Sequence, residues 1–174
     1  MSHISTGVEY ALHCLLFLAD LPEEAPGASA KDLAELQGIP GDFVAKLFTK
    51  LTKAGLVIAS EGIKGGFALA KAPEKISVLA VVDAIDEAKP LFECREVRAR
   101  CALFDDSPPT WATKGTCSIH AVMLAAEKSM RDTLRQHTLA DLASRTAAKA
   151  PAGYTPAVVQ WLGKRSNSRR SGRI

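Results

Sequence analysis

The sequence predicts a mainly α-helical protein with a small β-hairpin wing: a winged helix-turn-helix domain plus a long dimerisation helix. Three observations carry this. Two short amphipathic segments are separated by Gly38-Ile39-Pro40, a hairpin pattern follows them at once, and an amphipathic run of about five turns begins at Ser118. With 174 residues, 47% of them hydrophobic and 24% charged, the chain has the length and composition of one soluble core with an appended arm.

The first helix is read from Val8, Ala11, Leu12, Leu15, Leu16, Leu18 and Ala19, with Ser5 or Thr6 as cap and a Pro- and Gly-containing loop over 21–27 ending it. Ser29, with Asp32 three residues on, starts a helix of about two turns that carries Leu33 and Leu36 and stops at Gly38. The next helix lines Phe43, Val44, Leu47, Phe48 and Leu51 on one side and Lys46, Lys50 and Lys53 on an outer face. Residues 56–59 and 67–70 read as strands around the glycine-rich turn Glu61–Gly66. Ile76–Glu87 is a further helix with Val78, Leu79, Val82 and Ile85 inward. Periodicity then lapses from Lys89 to about Thr116, and a loop of that length in a compact domain is usually functional or disordered. The helix from Ser118 to Gln136 places Ile119, Val122, Met123, Ala126, Met130 and Leu134 on a narrow apolar stripe, which calls for a second copy of the chain. Thr138–Thr146 is a last short helix. The expected organisation is a DNA-binding domain over 1–88, a cysteine-bearing sensor loop over 89–117, a dimerisation helix and short helix over 118–146, and a flexible basic tail over 147–174.

Charge narrows the function class. Residues 164–174 hold five of the 22 basic residues and no acid, so the rest of the chain carries 17 basic against 19 acidic side chains. Against that slightly acidic background residues 40–75 hold six Lys and three acids, the local excess that phosphate contacts require. The apolar runs are too short to span a bilayer, and no lysine or arginine precedes the first apolar stretch as a secretory signal demands, so a cytoplasmic location is expected. Enzymatic signatures are missing: Gly62-x-x-Gly65-Gly66 lacks the Lys-Ser or Lys-Thr of a phosphate loop, and neither His-Glu-x-x-His nor a nucleophile elbow occurs.

Four cysteines, Cys14, Cys94, Cys101 and Cys117, are poor candidates for disulfides in such a chain. Cys14, inside the first helix, reads as a small core residue. The others are spaced by six and fifteen residues, unlike the close pairs of a structural zinc site. Metal ligation and direct thiol chemistry both remain open to them.

Several ordered fragments carry a resemblance. Tyr10-Ala11-Leu12, Leu33-Ala34-Glu35 before Gly38-Ile39-Pro40, Leu51-Thr52-Lys53-Ala54-Gly55-Leu56-Val57, Gly65-Gly66-Phe67-Ala68-Leu69-Ala70 and the three later cysteines together resemble the bacterial winged-helix regulators of the IscR, NsrR and RsrR type over about residues 1–146. The resemblance implies a homodimer that binds double-stranded operator DNA, with an iron-sulfur cluster, [2Fe-2S] in kind, tuning its affinity. It places Phe43, Lys46, Lys50, Lys64 and Gly65 against DNA, and Ser29 and Lys31 on phosphate. In this chain Glu61 stands in the wing where such proteins often carry Ser-x-Arg-Gly, so base specificity does not carry over.

Two cluster ligand sets are open. In one, resembling RsrR in the first helix Gly7-Val8-Glu9-Tyr10-Ala11-Leu12-His13-Cys14, Glu9 and His13 join Cys101 and Cys117 across subunits. The cost of burying a carboxylate and an imidazole in an apolar helix favours it. In the other, resembling IscR, Cys94, Cys101 and Cys117 are completed by His120, three residues beyond the last cysteine. A cluster-free repressor that senses oxidants or thiol reagents through its cysteines is the alternative function.

Overall fold

The computed structural model describes residues 3–22, 27–60, 66–105 and 107–171, with side chains to 168. They form α1 (Thr6–Ala19), α2 (Ala30–Gln37), α3 (Gly41–Lys53), β1 (Val57–Ser60), β2 (Gly66–Leu69), α4 (Val78–Asp86), α5 (Thr110–Thr113), α6 (Ser118–Gln136), α7 (Leu139–Ala147) and α8 (Tyr154–Ser171). They divide into two compact units, one made of residues up to Ala88 together with those from Leu134 on, the other of Lys89–Thr133.

The first unit is built on α1. Val8, Ala11, Leu15 and Leu18 recur at helical spacing, are buried, and take α2, α3, α4, α7 and β2 against them. Ser5 precedes the helix but its side chain caps no backbone group. Instead its N–H and its hydroxyl donate to the two oxygens of Asp86, at 2.9 and 2.6 Å, which pins the start of α1 to the end of α4. Ser29 does cap α2, accepting from the Asp32 N–H at 3.1 Å while donating to its carboxylate at 2.6 Å. Gly38, at φ +71°, ends α2, and the Ile39 N–H donates back to Ala34 at 2.9 Å. The turn therefore delivers α3 with Val44, Leu47, Phe48 and Leu51 inward. Phe43, expected on that inner side, sits at its edge, 37% exposed, with its ring edge-on to Tyr10.

The hairpin pairs Val57 with Leu69 and Ser60 with Gly66, one residue later in β1 and one earlier in β2 than the apolar pattern marks. Ala28 adds a third short rung, exchanging backbone hydrogen bonds with Phe67 at 3.1 and 2.8 Å. This approach requires glycine: a Cβ on Gly66 would stand 2.5 Å from the Gly27 carbonyl oxygen. The expected wing residues Glu61 to Gly65 lie outside the described residues.

Ser77 caps α4 by accepting from the Ala80 N–H, and Val78, Leu79, Val81, Val82 and Ile85 are buried along it. At the end of α6 the chain rejoins this unit, with the Val78 N–H donating to His137 and the Leu139 N–H to Ile76. Thr138 and Asp141 then form a reciprocal capping box for α7.

Composition suggests a flexible tail over 147–174, whereas its described residues are largely helical. From Tyr154 it is helical, with Val158, Leu162 and Ser166 buried at i, i+4 and i+8 and Trp161 packed beside them. The error has a physical source: the run Arg169–Ile174 dominates the local composition, whereas the packing residues sit one to three turns earlier.

In the second unit the stretch read as irregular holds two 3₁₀ turns, Val97–Arg100 and Ala102–Phe104, and the single turn of α5. Helix α6 has the expected bounds and no buried residue. Its apolar stripe divides: Met123, Met130 and Leu134 are half-buried, while Ile119, Val122 and Ala126 are exposed.

Replacing Gly66 by Ala should lower the unfolding free energy by about 2 kcal/mol, since backbone rather than a movable side chain opposes the new methyl group. Urea unfolding checks this. An unchanged midpoint would mean that the hairpin can move off Gly27 without cost.

Candidate nucleic-acid interface and cysteine centre

The helix-turn-helix presents an open cleft lined by Ala30, Lys31, Ala34 and Glu35 of α2 and its start, by the turn, and by Gly41, Asp42 and Ala45 of α3. Lys31, Glu35, Asp42, Ala45, Lys46, Thr49 and Lys53 are exposed around it and along α3. This is the face a recognition helix offers to a major groove. Ser29 is half-buried, with its hydroxyl engaged in capping. Lys64 and Gly65 lie outside the described residues.

Lys50 has a role that the sequence pattern does not suggest. Its ammonium donates to the Ile85 carbonyl at 2.7 Å and pairs with Glu87 at 3.0 Å. It thus satisfies a carbonyl at the end of α4 and locks α3 to that helix. A lysine side chain long enough to reach phosphate is also long enough to reach a neighbouring helix, and only the packing of α3 on α4 decides between them.

Glu9 and His13 are exposed on one side of α1. The burial cost that would demand a partner within one protomer does not arise. Both line an open groove of about 1000 Å³ together with apolar residues that include Val8, Leu12, Val78 and Leu142 and with Arg145 and Lys149. Tyr10 follows Glu9 directly and touches Phe43 of α3, with ring centroids 5.8 Å apart.

The three later cysteines all lie in the second unit. Cys101 is exposed and Cys94 and Cys117 are half-buried. Their segment is held by Arg98, whose Nε and Nη2 bind the Glu96 carboxylate at 2.5 and 2.8 Å and whose Nη2 also donates to Gly115 and Thr113 carbonyls at 2.9 and 3.3 Å. The Glu96 carboxyl is held below its usual range, first of all by the Arg98 hydrogen bond. Arg98 is raised, chiefly by that hydrogen bond, with a smaller Coulombic contribution from Cys117 and Cys94 beside it. No motif marks Arg98 in the sequence, since its partners lie two, fifteen and seventeen residues away. Elsewhere in the unit His120 lies by Phe92, and the Leu91 N–H donates to Glu127.

Thiolate, imidazole and carboxylate are donors that an iron-sulfur cluster accepts, so the residue types fit such a group. Among the described residues, however, no three His, Cys, Asp or Glu side chains converge as a metal site requires. Cys14 stands apart from this chemistry. It is fully buried in α1, and burial pushes its thiol up to about 12.

Comparison with known proteins agrees with the fold. A model of the Rrf2 family, described as an iron-dependent transcriptional regulator, matches residues 4–145. The protein slr0846 of Synechocystis sp. is 41% identical over 85 residues, 49% of this chain and 57% of that protein. Protein rrf2 of Nitratidesulfovibrio vulgaris is 33% identical over 148 residues, covering 85% of this chain and 91% of its own. The solved structure of IscR from T. potens superimposes with a TM-score of 0.63 at 25% identity, over 88% of this chain and 95% of that one. The matched family consists of transcriptional regulators, not enzymes. Among the described residues no helix is long and apolar enough to cross a membrane.

Two outcomes follow from the cysteine geometry. A thiol reagent should label Cys94, Cys101 and Cys117 in the native protein and Cys14 only on unfolding, as peptide mass analysis would show. Because an unburied thiol ionises near 9.0 and Cys14 near 12, its contribution to stability should be complete below pH 9 and decline as pH rises from there. Labelling of native Cys14 at neutral pH would contradict both. Separately, Arg98→Ala should speed amide hydrogen exchange across residues 94–117 while leaving that of α3 unchanged. Equal rates in both proteins would show that the Arg98 bonds do not hold the segment.

Proposed function

The chain belongs to the Rrf2 family of winged-helix transcriptional regulators, and from that premise we propose a homodimeric repressor or activator whose operator affinity is controlled by a redox-responsive [2Fe-2S] cluster. The observation that carries this reading is the position of α1. Glu9 and His13 stand on its exposed side, and Tyr10 between them rests against Phe43 of the recognition helix. A shift of α1 that follows a change at either ligand position therefore bears directly on the helix that reads DNA.

Glu9, His13, Cys101 and Cys117 are the proposed ligands, with Cys94, Cys101, Cys117 and His120 as the other set. When bound, the cluster supplies a centre whose charge changes with its redox state, and a protonatable ligand such as His13 couples that change to proton uptake. The chain's own part is to position and transmit. Asp86 holds the start of α1 through Ser5, and Lys50 holds α3 to the same end of α4, so movement of α1 is felt by α3 through a short rigid path. On the DNA side, Lys46 and Phe43 are proposed for the major groove, Lys31 and Ser29 for phosphate, and Lys64 and Gly65 for the wing contact. Lys50 serves there only by giving up its Ile85 and Glu87 partners. Dimerisation is proposed through α6, where Ile119, Val122 and Leu124 are 64, 67 and 47% exposed, an apolar surface a monomer rarely leaves open.

A second reading is a cluster-free sensor. It rests on the accessibility of Cys94, Cys101 and Cys117, which suits direct oxidation or alkylation as well as ligation.

Protein purified without oxygen should be coloured and contain iron, and Glu9→Ala and His13→Ala should each remove the visible absorption. Dependence on His120 in place of Glu9 and His13 would select the other ligand set. A colourless, iron-free protein that binds duplex DNA would favour the thiol sensor and overturn the cluster.

A further inference from the structure

Helix α8 lies beyond the residues that the Rrf2 model matches, and its placement gives it a task. Thr155 at its start donates to the Asp20 carboxylate at the end of α1, at 3.5 Å. Three turns on, Arg165 forms an ion pair with Glu35 of α2 while its guanidinium covers the Trp161 ring at 4.7 Å. Along the same helix Val158 and Leu162 are 4% exposed and Ser166 is 2% exposed. Some 130 residues separate Arg165 from Glu35 in the chain, so this is a tertiary seat on the reading head and not a local contact.

Glu35 belongs to the cleft between α2 and α3, the same cleft that carries Lys31, Asp42 and Ala45. A carboxylate there opposes the approach of phosphate. Arg165 neutralises it, and it also brings to this flank the last turns of a helix whose sequence from Lys164 to Ser171 holds Lys164, Arg169 and Arg170 and no acid. Lys164 is exposed. The six residues after Arg165, up to Ser171, extend the helix by about 9 Å beyond the ion pair. A helix that served only to cover the core would have no need of a uniformly basic end in a chain whose remainder is slightly acidic.

We propose that α8 is a second DNA-contacting element, seated on the reading head by its apolar face and by Arg165–Glu35, whose basic end holds backbone phosphates beside the site read by α3. This rests on the reading of the chain as a DNA-binding regulator. It adds affinity without adding base specificity, since phosphate contacts position a protein and do not read sequence.

The test is the salt dependence of binding by the full chain to a labelled duplex of about 40 base pairs, between 50 and 200 mM salt. The variant K164S/R169S/R170S keeps Arg165 and the buried face. Each phosphate contact contributes about 0.9 to the slope of log affinity against log salt, so the variant should show a slope shallower by between about 1 and 3. At a loss of two contacts, the fourfold rise in salt then costs the variant about tenfold less affinity than it costs the wild type. Its thermal unfolding midpoint should be that of the wild type, and the charge-conserving K164R/R169K/R170K should retain the wild-type slope. If the wild type binds with a steep slope and the serine variant keeps it, α8 is a structural strap and the proposal fails while the DNA-binding reading stands. If the wild type shows no salt-dependent duplex binding, both fall.

Discussion

Burial of one face of α1 is the constraint on which the first unit depends. Val8, Ala11, Leu15 and Leu18 are each at most 5% exposed, and removing a large aliphatic side chain of this kind from water is worth about 1.5–3 kcal/mol. Helices α2, α3, α4 and α7 and strand β2 all pack against this helix, so its position sets theirs. Its opposite face is left for Glu9, His13 and the groove beside them. The element that organises the core is thus also the one that carries candidate sensing residues, and its displacement cannot be a local event in an interior packed at crystal-like density.

The polar contacts within this unit share a pattern. Ser5 with Asp86, Lys50 with Ile85 and Glu87, and Arg165 with Glu35 each join elements far apart in the chain at or near helix ends. Helix ends are where backbone groups lack partners and where a charge is best placed to supply one. In a chain whose basic excess is confined to residues 40–75 and 164–174, two of those basic side chains are spent on acids of the reading head itself. The positive charge that α3 presents to solvent is correspondingly smaller than a count of its lysines implies.

The second unit is stabilised by other means. Ala112 is the one buried residue of Lys89–Thr133 among those described, and Val97, Leu103, Trp111, Ile119, Val122 and Leu124 are exposed. Without an apolar core, its shape rests on the Arg98 bonds, the Leu91–Glu127 hydrogen bond and the ring contacts of Phe92 with His120 and Phe104 with Trp111. The chain enters it through Glu87 and Ala88, both in the left-handed region at φ 62° and 50°. Few buried contacts and a strained entry are features of segments whose local stability is low.

Periodicity and punctuation determined the helix-turn-helix, the hairpin, α4, α6 and α7, because each bears its own apolar face and most carry a boundary signal: Gly38 ends α2, while Ser77 and Thr138 cap the starts of α4 and α7. The placement of Cys14 in the core was legible for the same reason. What the sequence alone did not determine are the features whose partners are distant in the chain. Lys50 reads as an outward lysine and is held by α4. Arg98 carries no motif and secures the cysteine segment. Residues 154–168 look like a basic tail and dock on the reading head. In each case the local residue types permit two outcomes of similar cost, solvation or a tertiary contact, and only the three-dimensional arrangement of the neighbouring elements chooses between them.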